Sequence, residues 1–265
     1  MIIIIIDYNI MNNLTIVTAY YEFEKAKHSK EDYFKWIKNF MTINNYMVIF
    51  VNDENMANKI YNLRLNYKNK TKIIICPLEN LYCYKFMDYW NKDYERDIEK
   101  EHHNQSLYII WNEKTNFLKK VKDLNPFNTE FYCWSDIGMI RNDLILSYMK
   151  TFPSSKMLNT IDKTKVYLLN LKMLFIDVTH YIGGGFIFCH KNMVDIWYDN
   201  YYLILDIFMK KDLFTGKDQI IMNNIYNNFP EIIKLIEPLG TPFDHWFYML
   251  FYFTDIYYNN CLHLQ

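Results

Sequence analysis

The sequence predicts an α/β fold, a central and mostly parallel sheet flanked by helices, and three observations predict it. Between Leu14 and Cys76, short apolar runs alternate with helical periodicity in the order strand, helix, strand, helix, strand, with short turns between them. That order is the mark of a parallel sheet wound by helices. Further on, Phe131-Tyr132-Cys133-Trp134 is an unbroken apolar run, which reads as a strand buried on both faces. Finally, the 265 residues are 51% hydrophobic and 18% aromatic, which argues against disorder and is enough for a sizeable core.

Each element follows from a local signal. Leu14 to Tyr20 is the first strand. Glu31 to Asn44 has helical periodicity, with Ser29 as its N-cap. Tyr46 to Val51 is a continuous apolar strand, and Asn52-Asp53 opens a second helix running to about Leu65. Lys72 to Cys76 gives a third strand, stopped by Pro77, and right-handed crossovers should join the three. Tyr84 to His103 reads as a helix whose charged end is a solvated face. Ser106 to Leu124 is the most informative helix. At 100° per residue, Leu107, Trp111, Lys114, Leu118 and Val121 share one narrow stripe. Asn125-Pro126-Phe127 closes it and leads into the central strand.

Beyond Asp136, Leu144 to Thr151 is helical, Pro153-Ser154-Ser155 reads as a loop, and Lys165 to Phe175 fits strand and helix equally. Tyr181 to Cys189 places Gly183, Gly184 and Gly185 directly before a strand. Asn192 to Met209 is a long helix. Phe214-Thr215-Gly216 is a turn, and Lys217-Asp218-Gln219 opens a helix that runs through Tyr226. The aromatic stretch Phe243 to Tyr248 follows. No repeat, linker or low-complexity tract divides the chain, so one unit over residues 1–265 is expected.

Bulk properties exclude several classes. A formal net charge of −1, with lysines spread along the chain, gives no electrostatic footprint for nucleic acid. Cys76, Cys83, Cys133, Cys189 and Cys261 form no CxxC pair and are odd in number, which fits reduced thiols in a cytoplasmic protein. Zinc lacks support, because His102-His103 are adjacent and cannot chelate from one helix face. Ile2 to Ile6 is too short to span a membrane and lacks the features of a signal peptide. A soluble protein without a membrane span is expected. The wealth of Ile, Asn, Lys and Tyr reads as the codon bias of an AT-rich genome.

The chemistry-bearing candidates stand at element ends. Ligands of open α/β sheets gather outside the carboxyl ends of the strands, which is where Ser135-Asp136 follows the central strand. Asp136 there either holds a hard divalent cation or caps the following turn. Lys114 lies within an apolar stripe, where a charge is costly unless paired or facing a polar cleft; the other reading is a lysine snorkelling at the core's rim. Three of six glycines fall at 183–185 and admit a close-lying ligand or an unusual turn. They have neither GxGxxG nor P-loop spacing, so no nucleotide fingerprint follows. Asp218 opens a helix, a position that the dipole favours for a carboxylate in any case.

Taken in order, Thr15-Ile16-Val17-Thr18-Ala19-Tyr20-Tyr21, Trp111-Asn112-Glu113-Lys114 with Phe117-Leu118, Asn125-Pro126-Phe127, Trp134-Ser135-Asp136-Ile137-Gly138 with Arg141, Gly183-Gly184-Gly185-Phe186 and Asp218-Gln219 resemble a glycosyltransferase of the GT-A type. More closely, they resemble the bacterial HtrL/YibB-like family, associated with surface-polysaccharide genes. The resemblance covers about Leu14 to Tyr226. It implies a GT-A-like Rossmann-type sandwich that moves a sugar from a nucleotide-sugar donor, UDP-linked, to a glycan or glycoprotein acceptor. About residues 14–138 would bind the nucleotide sugar, and about 139–265 would shape the acceptor side.

The same resemblance implies donor contacts from Thr18, Ala19 and Tyr20 near the base, and from Trp111, Lys114, Ser135, Asp136, Gly184, Gly185 and Gln219. It implies a manganese or magnesium ion on Asp136, with His245 as a second ligand or else as a packed histidine. Lys114 would stabilise the leaving phosphate. Asp218 would take the acceptor's proton or bind the donor sugar's hydroxyls. The family pattern of two acids is incomplete, since Gly138 stands where the second would be. Two other readings remain: a catalytically inactive nucleotide-binding protein of the same fold, and a Rossmann-type oxidoreductase, which the missing glycine fingerprint opposes. For Lys114→Met the sequence offers two expectations. A lysine that is only a buried cost gives a more stable, active protein, and one that supports the diphosphate gives a stable, impaired one.

Overall fold

A computed structural model describes residues 13–23, 28–172, 181–238 and 244–260. In chain order the elements are β1 (Leu14–Tyr20), α1 (Lys30–Met41), β2 (Tyr46–Val51), α2 (Glu54–Leu63), β3 (Thr71–Ile75), α3 (Met87–Arg96), α4 (Gln105–Leu124) and β4 (Phe131–Ser135). They continue as α5 (Asp143–Tyr148), α6 (Ser155–Thr160), β5 (Val166–Asn170), β6 (Ile182–His190), α7 (Lys191–Lys210), α8 (Asp218–Asn228), β7 (Ile233–Ile236), α9 (Tyr248–Tyr252) and α10 (Asp255–Asn260).

One seven-stranded sheet carries the order β3-β2-β1-β4-β6-β5-β7. Strands pair in parallel except β6, which runs antiparallel to both β4 and β5. Side chains alternate between two cores. Ile16, Ile49 and Cys133 point into one, with Ile37 and Phe40 of α1 and Ile60 of α2. Val17, Phe50 and Trp134 point into the other, with Trp90 of α3, Phe117 of α4, Trp197 of α7 and Ile221 of α8. The expected mostly parallel sheet flanked by helices is therefore the architecture of the chain.

The N-caps act as the sequence indicates. Ser29 Oγ accepts from the Asp32 amide at 3.1 Å, and Asp53 Oδ1 accepts from the Met56 amide at 2.9 Å. Asn104 caps α4 in the same way, and Asn125, with φ 37°, ends it in the left-handed conformation.

Three expectations need correction, and one open stretch is assigned. The helix expected over Tyr84 to His103 is a 3-10 turn at Tyr82–Phe86 followed by α3, which stops at Arg96. Asp97 then accepts from the Glu99 amide at 2.9 Å and the Tyr108 hydroxyl at 2.5 Å, and pairs with His103 at 2.7 Å, so the chain folds back. Ser154 is not merely a loop residue: it caps α6 by accepting from the Met157 amide at 3.2 Å. The unassigned stretch from Lys165 supplies β5, although its end at Phe175 lies outside the described residues. The glycines at 183–185 lie inside β6, not before it.

β7 was not foreseen at all. Of its four residues at the sheet edge only Lys234 is exposed, with Ile233 and Ile236 buried, too short a signal beside the helices around it.

Helix α4 is more deeply buried than a one-sided stripe predicts. Every residue from Asn112 to Leu118 is buried, while Leu107 and Trp111 of the expected stripe are only partly so. Its polar residues each find a partner. Glu113 accepts from the Tyr82, Cys83 and Asn116 nitrogens, and Thr115 Oγ1 accepts from Trp197 Nε1 at 3.0 Å. Cys83, Cys133 and Cys189 are buried free thiols, Cys76 is half-buried, and Cys261 and the Ile2 to Ile6 run lie outside the described residues. Among the described residues no helix is long and apolar enough to cross a membrane.

Candidate functional site

The strand order sets the place of the site. From β1 the chain moves outward to β2 and β3, then returns to β4 on the other side of β1. Such a switch point opens a crevice outside the carboxyl ends of the two central strands. Tyr20 stands at the end of β1 and Asp136 directly after β4. Because β6 is antiparallel, its first residues lie at this same edge: Ser135 pairs with Phe186, and the Asp136 amide donates to the Gly185 carbonyl at 2.9 Å. The one strand that runs the other way thus brings the three glycines beside the acid.

Helix α4 crosses behind this edge and sends in Lys114, 3% exposed. Its Nζ donates to the Gly184 carbonyl at 2.8 Å and pairs with Asp218 Oδ2 at 2.8 Å and Asp136 Oδ1 at 3.2 Å. The ammonium is thus surrounded by three acceptors, one through a hydrogen bond and two through ion pairs, and Asp218 Oδ2 keeps no hydrogen bond among the described residues. The Trp134 ring lies 5.9 Å away, and its Nε1 donates to Asp136 Oδ1 at 2.7 Å. Burial alone pushes the Lys114 pKa down, yet Asp136 and Asp218 outweigh it and hold the lysine above its ordinary value, charged. Asp218 is compensated less fully. Burial pushes its carboxyl up more than Lys114 pulls it down, and Asp136, sharing the same lysine, adds to the rise.

The start of α8 is tied down from several sides, which fixes Asp218. Thr215 donates through its amide at 2.6 Å and its hydroxyl at 2.8 Å to Asp93 Oδ2 of α3. Asn112 Nδ2 donates to the Thr215 carbonyl at 3.2 Å, and Lys217 pairs with Glu99. Gln219 donates to the Ile182 carbonyl at 2.8 Å, pinning α8 to the first residue of β6.

This arrangement explains two of the glycines. A Cβ on Gly184 would lie 2.7 Å and 2.8 Å from the two carboxylate oxygens of Asp218, and one on Gly185 would lie 3.1 Å from Trp246 Nε1 and 3.5 Å from Asp136 Oδ2. Gly184→Ala should therefore force β6 away from α8 at a cost of about 1–3 kcal/mol, read as a lower melting temperature. An unchanged melting temperature would mean that Asp218 is free to move aside.

Lys114, Asp136, Asp218, Gly184 and Gly185 come together, then, while the other sequence candidates are spread around them. Thr18, Ala19 and Ser135 are buried in the sheet, and the Thr18 hydroxyl has no partner among the described residues. Tyr20 is half-buried and lines a cavity of about 320 Å³ with Asn52, Asp53 and Lys59. A neighbouring cavity of about 510 Å³ is lined by Tyr21, Asn52, Leu78, Asn104 and Ser106. Both lie beyond the carboxyl ends of β1 and β2 and are of ligand size. Trp111 stands apart from the Lys114 cluster and packs edge-on against His103 at 4.9 Å.

His245 is half-buried, next to the Trp246 that meets Gly185, and its Nδ1 is buried without a partner among the described residues. Phe243 lies outside those residues. A second group with metal-ligand atoms, Asp97, Glu99 and His103, has them within 4.8 Å of one another. Its members are engaged with Tyr108 and Lys217 and hold the chain reversal before α4.

Sequence reasoning missed the outer wall. Arg141 packs its guanidinium 4.2 Å from the Trp36 ring and 5.1 Å from the Phe247 ring, and its Nε donates to the Gly138 carbonyl at 3.3 Å. Tyr33 belongs with it: burial and then the Asp136 charge push its phenol up, while Arg141 pulls it down. Arg141 entered the sequence reading only as part of the resemblance, and the i, i+3 spacing of Tyr33 and Trp36 on one face of α1 is a further signal that could have pointed here. At Gly138, where the resemblance would put a second acid, a Cβ would come 3.3 Å from the Trp36 ring and press against this wall.

A family model described as a bacterial protein of unknown function, HtrL_YibB, matches residues 12–253, and the chain belongs to that family. No curated protein matches. Among solved structures the chain is similar to one described as PaToxG Glycosyltransferase, with 12% identity and a TM-score of 0.39, covering 83% of this chain and 70% of that one. A likeness that distant carries no argument about function.

Proposed function

We propose that this member of the HtrL/YibB family is a glycosyltransferase that moves a sugar from a nucleotide-sugar donor, UDP-linked, to a glycan or glycoprotein acceptor. The observation that carries the reading is the Lys114, Asp136 and Asp218 cluster at the switch point, on the sheet edge where two cavities of ligand size, which these three residues do not line, open beyond β1 and β2. In this reading residues from β1 to Gly138 bind the nucleotide, with Tyr20 beside the base, and the remainder shapes the acceptor side. Thr18, Ala19 and Ser135 form the floor of the donor site.

Transfer breaks the bond between the sugar's anomeric carbon and the leaving phosphate oxygen. A bond to the acceptor oxygen replaces it, and that oxygen gives up its proton. Negative charge grows on the leaving phosphate, so the site must supply positive charge there. Asp136, with a side chain 37% exposed, is the carboxylate of the cluster that a donor can reach. Its Oδ1 is held by Trp134 and Lys114, while its Oδ2 has no hydrogen bond among the described residues.

The unpartnered His245 Nδ1 and this free oxygen suit a manganese or magnesium ion whose coordination is completed by diphosphate and water. When bound, such an ion supplies Lewis-acid stabilisation of the leaving group. Lys114 is buried among three acceptors, one hydrogen-bonded and two ion-paired, so its contribution is to hold Asp136 and Asp218 in place and to set the local field. Asp218, buried and raised in pKa, then receives the donor sugar's hydroxyls or the acceptor's proton only through a shift of its contacts with Lys114 and Gly184. Gly184 and Gly185 let Asp218 and Trp246 close on β6, and Gln219 ties α8 to the same strand, so in this reading the three shape the donor site through these neighbours.

A nucleotide-binding protein without turnover is the second reading, favoured by glycine standing at 138, where Trp36 crowds any Cβ, in place of a second acid. Thermal shift against a panel of nucleotide sugars, with and without manganese, tests the binding, and release of nucleoside diphosphate tests turnover. UDP-sugars should raise the melting temperature while NADH leaves it unmoved. Binding without donor hydrolysis or transfer would favour the second reading, and no response to any nucleotide sugar would overturn both.

A further inference from the structure

Arg141 is half-buried, and among the described residues it has no carboxylate within ion-pair distance. Burying part of a guanidinium without a paired anion is costly unless something else takes up its hydrogen-bond donors. Its position is nevertheless fixed. The plane packs against Trp36 and Phe247, Nε donates to Gly138, and one Nη lies 3.4 Å from His28 Nε2. The charges it feels come from Tyr33, Asp244 and Asp136, none of which closes on it, while burial pulls its pKa down. The side chain is therefore stacked and oriented, and it feels the Asp136 charge without an ion pair to it.

The rest of the site lacks what Arg141 holds. Lys114 is spent on Gly184, Asp218 and Asp136, so two carboxylates share one ammonium and the cluster is net negative. An anionic donor approaching Asp136 meets repulsion unless a further cation stands nearby. A planar guanidinium held between aromatic rings is the side chain best suited to two phosphate oxygens at once.

We propose that Arg141 is the protein's own anchor for the diphosphate of the donor, acting beside Asp136 at the switch point. The proposal rests on the donor reading given above and assigns to Arg141 the phosphate contact that Lys114 is not free to make. It makes Arg141 a determinant of diphosphate affinity and not of nucleoside affinity.

Calorimetric titration of the full chain with UDP, uridine and pyrophosphate, in manganese and again in chelator, tests it on wild type, Arg141→Met and Arg141→Lys. Arg141→Met should weaken UDP and pyrophosphate by about 10- to 150-fold, the loss of a charge-assisted contact. Uridine should bind it as it binds wild type, which also shows that the nucleoside cleft is intact. Arg141→Lys should recover part of the loss, since charge returns without the stacked fork. Full UDP and pyrophosphate affinity in Arg141→Met overturns the proposal alone, as does an equal loss of uridine and UDP, which marks a structural role. Absence of UDP binding by wild type overturns the donor reading together with it.

Discussion

Lys114→Met should lower the stability of the fold by about 3–5 kcal/mol at neutral pH, because removing one partner of a buried ionic cluster strands the other. The stranded group is Asp218, 4% exposed, with Asp136 beside it to add repulsion. In a chain of this size the loss corresponds to a melting temperature lower by roughly 6–20 °C. Sequence alone suggested the opposite sign, since methionine suits an apolar stripe. The expectation changes because Lys114 is matched by three acceptors and is no unpaired charge.

The pH dependence follows from the signs. Lys114 has a raised pKa, so its stabilisation of wild type is fully present below its ordinary value of 10.5 and is lost only as pH rises above that. In the variant, Asp218 loses the neighbour that lowers its pKa, so its carboxyl rises further. A raised acid costs stability while it is ionised, and the cost disappears once it is protonated. The gap between variant and wild type should therefore narrow as pH falls from about 8 to about 5. Lys114→Met with Asp218→Asn should recover part of the loss, giving a coupling of about 0.5–3 kcal/mol in a double-mutant cycle. A single variant as stable as wild type, or a gap that ignores pH, would show that the cluster is not a coupled unit.

How far the sequence leads depends on whether a feature is local. β1, β2 and β4 are legible because burial on both faces forces continuous apolar runs, and the caps Ser29 and Asp53 act within three residues of their own helices. Lys114 was visible because a charge within an apolar stripe must be answered. The identity of its answer was not visible, since Gly184 and Asp218 reach it from distant parts of the chain. The glycines of β6 misled for a physical reason. Consecutive glycines usually mark a turn, but at 184 and 185 they mark strand positions where the Asp218 carboxylate and Trp246 leave no room for Cβ. Arg141 was named only through the resemblance, and its stacked setting was not legible locally, because Trp36 and Phe247 flank it from opposite ends of the sequence.

Asp136→Asn should separate function from stability. Asp136 is partly exposed, and asparagine can still accept from Trp134 Nε1 through its carbonyl oxygen. Lys114 keeps Asp218 and Gly184, and the cluster moves from two carboxylates per lysine to one, so a change in stability within about 1 kcal/mol is expected. Losing the neighbouring negative charge should also let the Asp218 pKa fall, since Asp136 is one of the causes that raise it.

Function has no such substitute. The amide of the variant would offer a neutral oxygen where the proposed reaction needs a charged one to organise the ion and the diphosphate. The expected loss is about 2.7–4 kcal/mol of transition-state stabilisation, a fall in turnover of roughly 100- to 1,000-fold. Melting temperature, turnover and the manganese concentration giving half-maximal rate, measured together, give the readout. Turnover at the wild-type level in a folded Asp136→Asn protein would remove Asp136 from the reaction. A large drop in both stability and turnover would instead make it a structural partner of Lys114, which its exposure and its single free oxygen argue against.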